Sequence, residues 1–447
     1  MSAIDSQFAA DFTDRYAPYL NPQPEVNSFR EFARFVPAAQ RSGRQFRGPM
    51  QSSISHGVTI DITGTAYALN AARPAGEQEY ILDGPDLLMR ETFPYSAALK
   101  ASNGVSKDGQ SAAYWEPMDK VMMTMMRGID HYTELAMMFG PGSGATILAD
   151  IGVVATTPVF AGTGPNYGSA THPLVQLTRN TWAPCIWNNS GNGGNVAGGM
   201  LVDIMNSAGT ATVETNVAIE NVGDPALCQV QMFKAASAVA VATGQRIIPA
   251  GWFGKGCAGV QGWLQNTGTL ANINAATNWF WRARQFNAAG AMTRAKVLQI
   301  CAKLFPNGAK KGLVGFGSSQ TFADLAEETS TPSASGGQWF ENGAQTRVQG
   351  AANLEYISPV GKVEIRVHEY MKQGFMFFLE PGTTVRIGAA DTTIRGSNGS
   401  EGFFLELPNN AGSEMRVTSQ QAPFIRFPAR CAIATGINNA GDDTSGS

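Results

Sequence analysis

Residues 115–140, WEPMDKVMMTMMRGIDHYTELAMMFG, constrain the fold more than any other stretch of the chain. Trp115, Met118, Met122, Met125, Ile129, Tyr132, Ala136 and Phe139 step by three and four, the period of one helical face. Lys120, Thr124, Arg127, His131 and Glu134 form a narrow polar stripe. Pro117 suits a first helical turn, and Gly140 followed by Pro141 suits a stop. A helix from Pro117 to Phe139 spans about 35 Å at about 1.5 Å per residue. It lacks the flanking charge pairs of a coiled coil, so a long helix lying on a sheet is expected. Its apolar arc is wide and carries seven methionines, either as core filler or as a face that adapts to several surroundings.

Such a helix needs partners, and the rest of the chain offers strands. Val58, Ile60 and Ile62 alternate with polar residues. The runs EYIL and DLLMRETF follow, and the pattern predicts a long hairpin over 55–95 with its tip in NAARPAGEQE. There Arg73 stands opposite Glu77 and Glu79, offering both signs of charge to a partner. Residues 145–262 alternate short apolar runs with Gly-rich turns and predict a small barrel or sandwich. Residues 291–305 and 318–328 read as helices. Val297, Cys301 and Leu304 share a face of the first, and Ser318 or Ser319 caps the second. Strands return from residue 354 in LEYISPV, KVEIRVHEY, GFMFFLEPGTTVRIG, EGFFLELP and SEMRVTSQQAPFIRFPARCAIATGI. The fold class is therefore α+β. Residues 1–54, interrupted by Pro18, Pro22, Pro24 and Pro37, read as an arm. Its arginines, including Arg30 and Arg34, are either solvated or pinned to acidic patches on a neighbour.

Charge matters because it normally coats the solvent face. Only 15% of residues are charged, whereas 43% are apolar, against about 25% charged in ordinary domains. A chain so short of charge hides much of its surface or loses solubility. No apolar run approaches the roughly 18 residues of a membrane span, and residues 1–16 lack the basic start and apolar core of a secretory signal. The formal net charge of −3 argues against a protein built to grip phosphate backbones, and no dense basic cluster stands out beyond the arm.

Motifs with chemistry are absent. Cys185, Cys228, Cys257, Cys301 and Cys431 are scattered and read as reduced, buried thiols. His56, His131, His172 and His368 form no metal-binding spacing and read as solvated or satisfied imidazoles. GPGSGAT at 140–146 lacks the Gly-Lys-Ser/Thr ending of a phosphate loop and follows a helix, so it reads as a helix-ending turn. GFGSSQ at 315–320 reads as a strand feeding a helix cap. We expect no enzyme, no catalytic, cofactor-binding or metal site, and no cofactor. The densest aromatic stretch, TNWFWRARQF at 277–286, either seals a core or meets a neighbouring subunit. Trp279 and Trp281 supply rigid area, and Arg282 and Arg284 supply forked hydrogen bonding.

The order of elements is arm, hairpin ending in LLMRETFPYSAAL, long helix, then GCAGVQGWLQNTGTLANINAATNWFWRA, two helices and closing strands. In this order the chain resembles the major capsid proteins of tailed bacteriophages, the Hong Kong ninety-seven fold. The resemblance implies an N-terminal arm (1–54), an extended loop (55–95) and a peripheral domain with its spine helix (96–164). A β-rich insertion (165–262), an axial domain (263–350), a peripheral-domain return (351–437) and a tail (438–447) follow. It implies self-assembly into hexamers and pentamers of an icosahedral head around double-stranded DNA, bound without sequence specificity. It implies a separate scaffolding protein, a portal and a possible decoration protein, with no membrane. The place implied is the virion, after assembly in the bacterial host cytoplasm. Neither the Lys nor the Asn of the covalent cross-link some members form can be matched here. Arg30, Arg34, Arg73, Glu77, Glu79, Trp279, Trp281, Arg282 and Arg284 are the candidate inter-subunit contacts. Two other readings stay open: a carbohydrate-binding or hydrolytic β-protein using Trp182 and Trp187, and an encapsulin-type bacterial shell.

Overall fold

The computed structural model of the chain describes residues 28–36, 46–61, 64, 68–82, 84–94, 112–142, 150–155, 174–176, 200–221, 229–234, 237–330, 354–394, 405–406 and 412–439. Several expectations fall outside them: Ile62, Cys185, Cys228, His172, Trp182, Trp187 and most of the arm and tail.

Content is mixed helix and strand, as expected. The long helix runs Ala112–Phe139. It starts upstream of Pro117, which therefore lies in the second turn rather than the first; Ala112 and Ala113 before it are strong helix formers. Gly140 ends the helix, its N–H bonded to the Ala136 carbonyl at 2.7 Å. A Cβ at Gly140 would lie 2.3 Å from the Trp252 indole nitrogen, so only glycine lets the chain turn there.

Beneath the helix lies a five-stranded sheet centred on Gly412–Ile425. That strand pairs antiparallel with Thr384–Ile394, with Asp86–Pro94 and with the short Leu405–Glu406. Helix and sheet meet through Met125, Ile129, Met415 and Val417, all buried. Gly128 faces Met89, and a side chain there would press on the methionine methyl at 3.0 Å. The methionines divide: Met125, Met137 and Met138 are buried, and Met123 turns outward.

Residues from 150 to 249 supply a second sheet of six strands in the order 152–153, 246–249, 200–205, 212–221, 229–233 and 174–176, all antiparallel. Among the described residues it is a single sheet, where a barrel or sandwich was expected. A third sheet orders Arg284–Asn287, Ala432–Thr435, Met376–Leu379, Leu313–Gly317, Gly361–Val367 and Leu354–Ser358. Helices Arg294–Leu304 and Ser319–Ser330 pack on it. The first is capped by the Thr293 hydroxyl, the second by Ser318, whose Oγ accepts from the Thr321 N–H at 3.2 Å. Val297, Cys301 and Leu304 are buried on one face.

The expected hairpin over 55–95 is redrawn. Glu77–Leu82 pairs with Phe46–Gln51, not with the described residues 55–61, and Asp86–Pro94 leaves to join the central strand. Side-chain packing decides this. Phe46 stacks on Tyr80 at 6.1 Å, and Gly48 lies opposite Tyr80, where a Cβ would meet the phenol oxygen at 2.3 Å. Residues 54–61 form no strand, and their alternating apolar side chains face no core.

These parts converge on Phe424. Its ring lies 5.0 Å from Tyr80, 5.4 Å from Trp263, 6.0 Å from Phe46 and 6.5 Å from Trp281. Trp263 and Trp281 meet edge to face at 5.5 Å. Both indole N–H groups are satisfied, Trp263 by the Pro423 carbonyl at 3.0 Å and Trp281 by the Leu270 carbonyl at 3.1 Å. A buried ionic clamp sits nearby. Lys372 Nζ donates to Asp150 at 2.7 Å and Gln261 at 2.9 Å, while Arg246 holds the other Asp150 oxygen at 2.5 Å. Burial lowers the Lys372 pKa from its ordinary value. Truncating Phe424→Ala removes the shared ring and should cost about 3–5 kcal/mol. Urea unfolding checks this, and a loss under about 1 kcal/mol would show that the aromatic cluster is peripheral.

Candidate assembly surfaces

Three features set this molecule's outward geometry: a docked arm, a projecting limb and an aromatic turn.

The arm is docked by residues 28–36. Its short helix Ser28–Phe32 buries Phe29, which meets Phe316 at 6.5 Å, while Phe32 meets the same ring at 5.3 Å. The strand Arg34–Val36 then adds parallel to Val385–Ile387, and Arg386 Nε donates to the Ala33 carbonyl at 2.8 Å. Arg30 is thus held by its own chain, where sequence reading offered solvent or a neighbour: it pairs with Asp130 and, at 2.9 Å, with Asp391. Burial opposes the Arg30 charge, yet these two carboxylates outweigh it and raise its pKa. Arg34 points to solvent.

Under the arm lies a polar network that the helix pattern concealed. Of His131 and Glu134, read as a solvent stripe, Glu134 is buried and His131 half-buried, because arm and loop 368–371 cover that face of the helix. Glu134 Oε1 accepts the Phe29 N–H at 2.6 Å and lies 3.1 Å from His368 Nε2. Tyr370 links the two imidazoles: its N–H donates to His368 Nδ1 at 3.2 Å, and its hydroxyl lies 2.5 Å from His131 Nδ1. Desolvation lowers the His131 pKa from 6.5 to about 4. No spacing signal could have found this group, since its members are brought together from sites more than 200 residues apart.

The limb comprises residues 52–76, beyond the paired strands. A few bonds bridge its two sides: Ser52 N–H to Gly76 O at 2.8 Å, His56 N–H to Arg73 O at 3.0 Å, and Asn70 Nδ2 to Val58 O at 2.7 Å. Among the described residues these cross-bonds reach as far as Val58 and Asn70, and ARPAGEQE belongs to the returning side rather than to the tip. Arg73 stands across from Ser55 and His56, not from Glu77 and Glu79. Glu77 pairs in register with Gln51, and Glu79 lies 4.0 Å from Arg47. Arg73, Glu77 and Glu79 are all exposed. So are Ile54 (61%), Val58 (69%), Ile60 (86%) and Leu69 (80%).

The aromatic turn divides its residues. Trp281 is internal, in the cluster around Phe424, so as a contact site it is corrected to a core residue. Trp279 is half exposed and stacks on Phe280. Arg282 is exposed and donates to the Ala275 carbonyl at 3.1 Å and to the Ala276 carbonyl. Arg284, also exposed, donates to Asn307 Oδ1 at 3.2 Å. The fold adds a basic face that linear reading missed, because Arg284, Lys303 and Arg430 are distant in sequence. Lys303 lies over the Phe286 ring at 4.9 Å and Arg430 over Phe427 at 4.7 Å.

Cys257, Cys301 and Cys431 are free thiols, and burial pushes Cys257 and Cys431 up to about 12. Among the described residues, no group of three or more His, Cys, Asp or Glu could hold a metal, and no helix is long and apolar enough to cross a membrane.

No protein-family model matches the chain, and no curated protein matches it. Solved structures do. The chain is similar to the cyanophage A-1(L) capsid asymmetric unit, with a TM-score of 0.48 and 12% identity over 95% of this chain and 96% of that one. It is similar to the capsid of an empty GTA particle, with a TM-score of 0.46 and 8% identity over 98% and 99%. It is also similar to the holo-SrpI encapsulin complex of Synechococcus elongatus PCC 7942, with a TM-score of 0.39 and 8% identity over 98% and 97%.

The half-buried His131 makes stability depend on pH. Its pKa is about 4 when folded and 6.5 at the ordinary value, so the unfolded chain binds the extra proton between these limits. Stability is complete above pH 6.5, falls as pH drops to 4 and loses up to about 3 kcal/mol. Urea midpoints across this range should show the slope in the native chain and a flatter one in His131→Gln. An equal slope in both would place the titrating group elsewhere.

Proposed function

We propose that this chain is a shell-forming structural protein: a major capsid protein that self-assembles into the icosahedral head of a tailed phage around double-stranded DNA. The observation that carries this reading is the limb. It projects from a base locked by Phe46, Tyr80 and Phe424 and displays four large apolar side chains with no core to face. Single exposed apolar residues are ordinary; several along one projecting segment mark an interaction surface. Burying each against another copy contributes about 1.5–3 kcal/mol. A rigid base makes the contact directional, which a closed shell needs.

Two further features support the reading. The chain has few charged residues, as suits a molecule that meets neighbours on several sides. Each such contact need be only of ordinary size, about 1,600 Å², because several per subunit add up. The arm, limb and half-exposed Trp279 lie on different elements, which allows several contacts at once. On this reading the long helix is the spine of a peripheral domain and the sheet holding Leu313–Gly317 is the axial domain. The sheet holding Met200–Met205 is the inserted domain. Hexamers and pentamers are the building blocks, no catalytic step is involved, and the protein resides in the virion after assembly in the bacterial cytoplasm. A scaffolding protein, a portal and a decoration protein are the further partners.

Val58→Glu with Ile60→Glu places two charges in the proposed contact without touching the core. Negative-stain microscopy should show closed particles for the native chain and at least a tenfold loss for the variant, with unchanged circular dichroism and urea midpoint. Particles in normal yield from the variant would remove the limb from assembly. A native chain that stays monomeric at high concentration would overturn the shell reading.

A further inference from the structure

The segment from Pro225 to Ala323 contains ten Lys or Arg and no Asp or Glu, in a chain whose net charge is −3. The fold gathers part of that excess. Arg284 lies on the strand Arg284–Asn287, which runs parallel to Ala432–Thr435. Lys303 lies on the last turn of the helix Arg294–Leu304 and sits over Phe286, two residues from Arg284. Asn307 joins the two sides, accepting from Arg284 and donating Nδ2–H to the Ala429 carbonyl at 2.7 Å. Next to it stands Arg430, with Arg426 exposed one turn earlier.

The partners of these cations are mostly neutral. Arg282 donates to backbone carbonyls and Arg284 to an amide oxygen, so both guanidinium groups are oriented by uncharged partners. Among the described residues Glu380 is a carboxylate at this place, fully buried and engaged by Arg430 at 3.4 Å and the Lys310 N–H at 3.3 Å. Among the described residues, Arg282, Arg284, Lys303 and Arg426 form no ion pair. Fixed cations spread over a strand, a helix end and a turn suit an extended polyanion with charge at regular intervals. The ring faces of Phe286 and Phe427 are covered by the protein's own Lys303 and Arg430. That arrangement favours phosphate contact over base stacking.

We propose that Arg282, Arg284, Lys303 and Arg426 form a sequence-independent binding face for the phosphate backbone of double-stranded DNA. The proposal deepens the shell reading and rests on it for the biological role: this face would look toward the packaged genome. It departs from the expectation, drawn from net charge alone, of a chain not built to grip phosphate backbones.

The test uses the purified full chain and a short fluorescent duplex of random sequence, with anisotropy read across a salt series. Particle formation is scored separately by microscopy. The native chain should bind with a linear fall of log affinity against log salt. Lys303→Gln and Arg426→Gln, both at exposed positions, should each reduce that slope by about 0.9, one phosphate contact. Lys255→Gln, outside the face, should leave it unchanged. No binding by the native chain, or unchanged slopes in both face variants, would overturn the assignment. Tighter binding of a poly-glutamate peptide than of the duplex would overturn it too, assigning the face to an acidic protein. Failure of the shell reading is distinct, showing as absent particles whatever the anisotropy reports.

Discussion

Everything that projects from this molecule is positioned by the contact of Phe424 with Tyr80, Trp263 and Trp281. Phe424 belongs to the long central strand, Tyr80 to the base of the limb, Trp263 to a short helix and Trp281 to the aromatic turn. Four segments distant in sequence share one set of rings, so none can rotate without disturbing the others. A two-stranded ribbon alone is marginal in water. Stacked onto this cluster, its base becomes part of the core while its far end stays outside. A segment with a fixed root and a free apolar end can reach a neighbour in one direction.

Two ionic groups complete the frame. Lys372, Asp150, Arg246 and Gln261 tie the six-stranded sheet of residues 152–249 to the short helix and to the loop before Met376–Leu379. Arg30, Asp130, Asp391 and Thr392 tie the arm to the long helix and the central sheet. Buried or part-buried pairs of this kind add little net stability, because desolvation offsets attraction. Their effect is on register: a slipped arm or tilted sheet would strand a charge in the interior. The arm's Phe29 N–H on Glu134 makes the same demand with a neutral donor.

Much of this was legible in the sequence where periodicity alone decides structure. The long helix, its glycine stop, the Ser318 cap, the buried face of Val297, Cys301 and Leu304 and the late strands all follow from local pattern. The limb defeated that reasoning. Val58 and Ile60 alternate as a half-buried strand should, but alternation does not say whether the buried face belongs to this chain or to another. Gly48 opposite Tyr80 carried the true pairing, and that signal appears only once the strands are aligned. The polar stripe misled for a related reason: His131 and Glu134 look solvent-facing on a helix wheel, and the arm covers them. Trp281 and Trp279 show the same limit within three residues, one sealed in the core and the other half exposed. The basic face is spread over residues 282 to 430 and emerges only in three dimensions.

The central claim is that the limb is unfinished in the single chain and finished by another copy. Hydrogen exchange measured by mass spectrometry, on dispersed chains and on assembled particles, tests it directly. The account predicts fast exchange over residues 52–76 in dispersed chains, strong protection after assembly, and protection around Phe424 in both states. Equal protection of the limb in dispersed chains and in particles would contradict it.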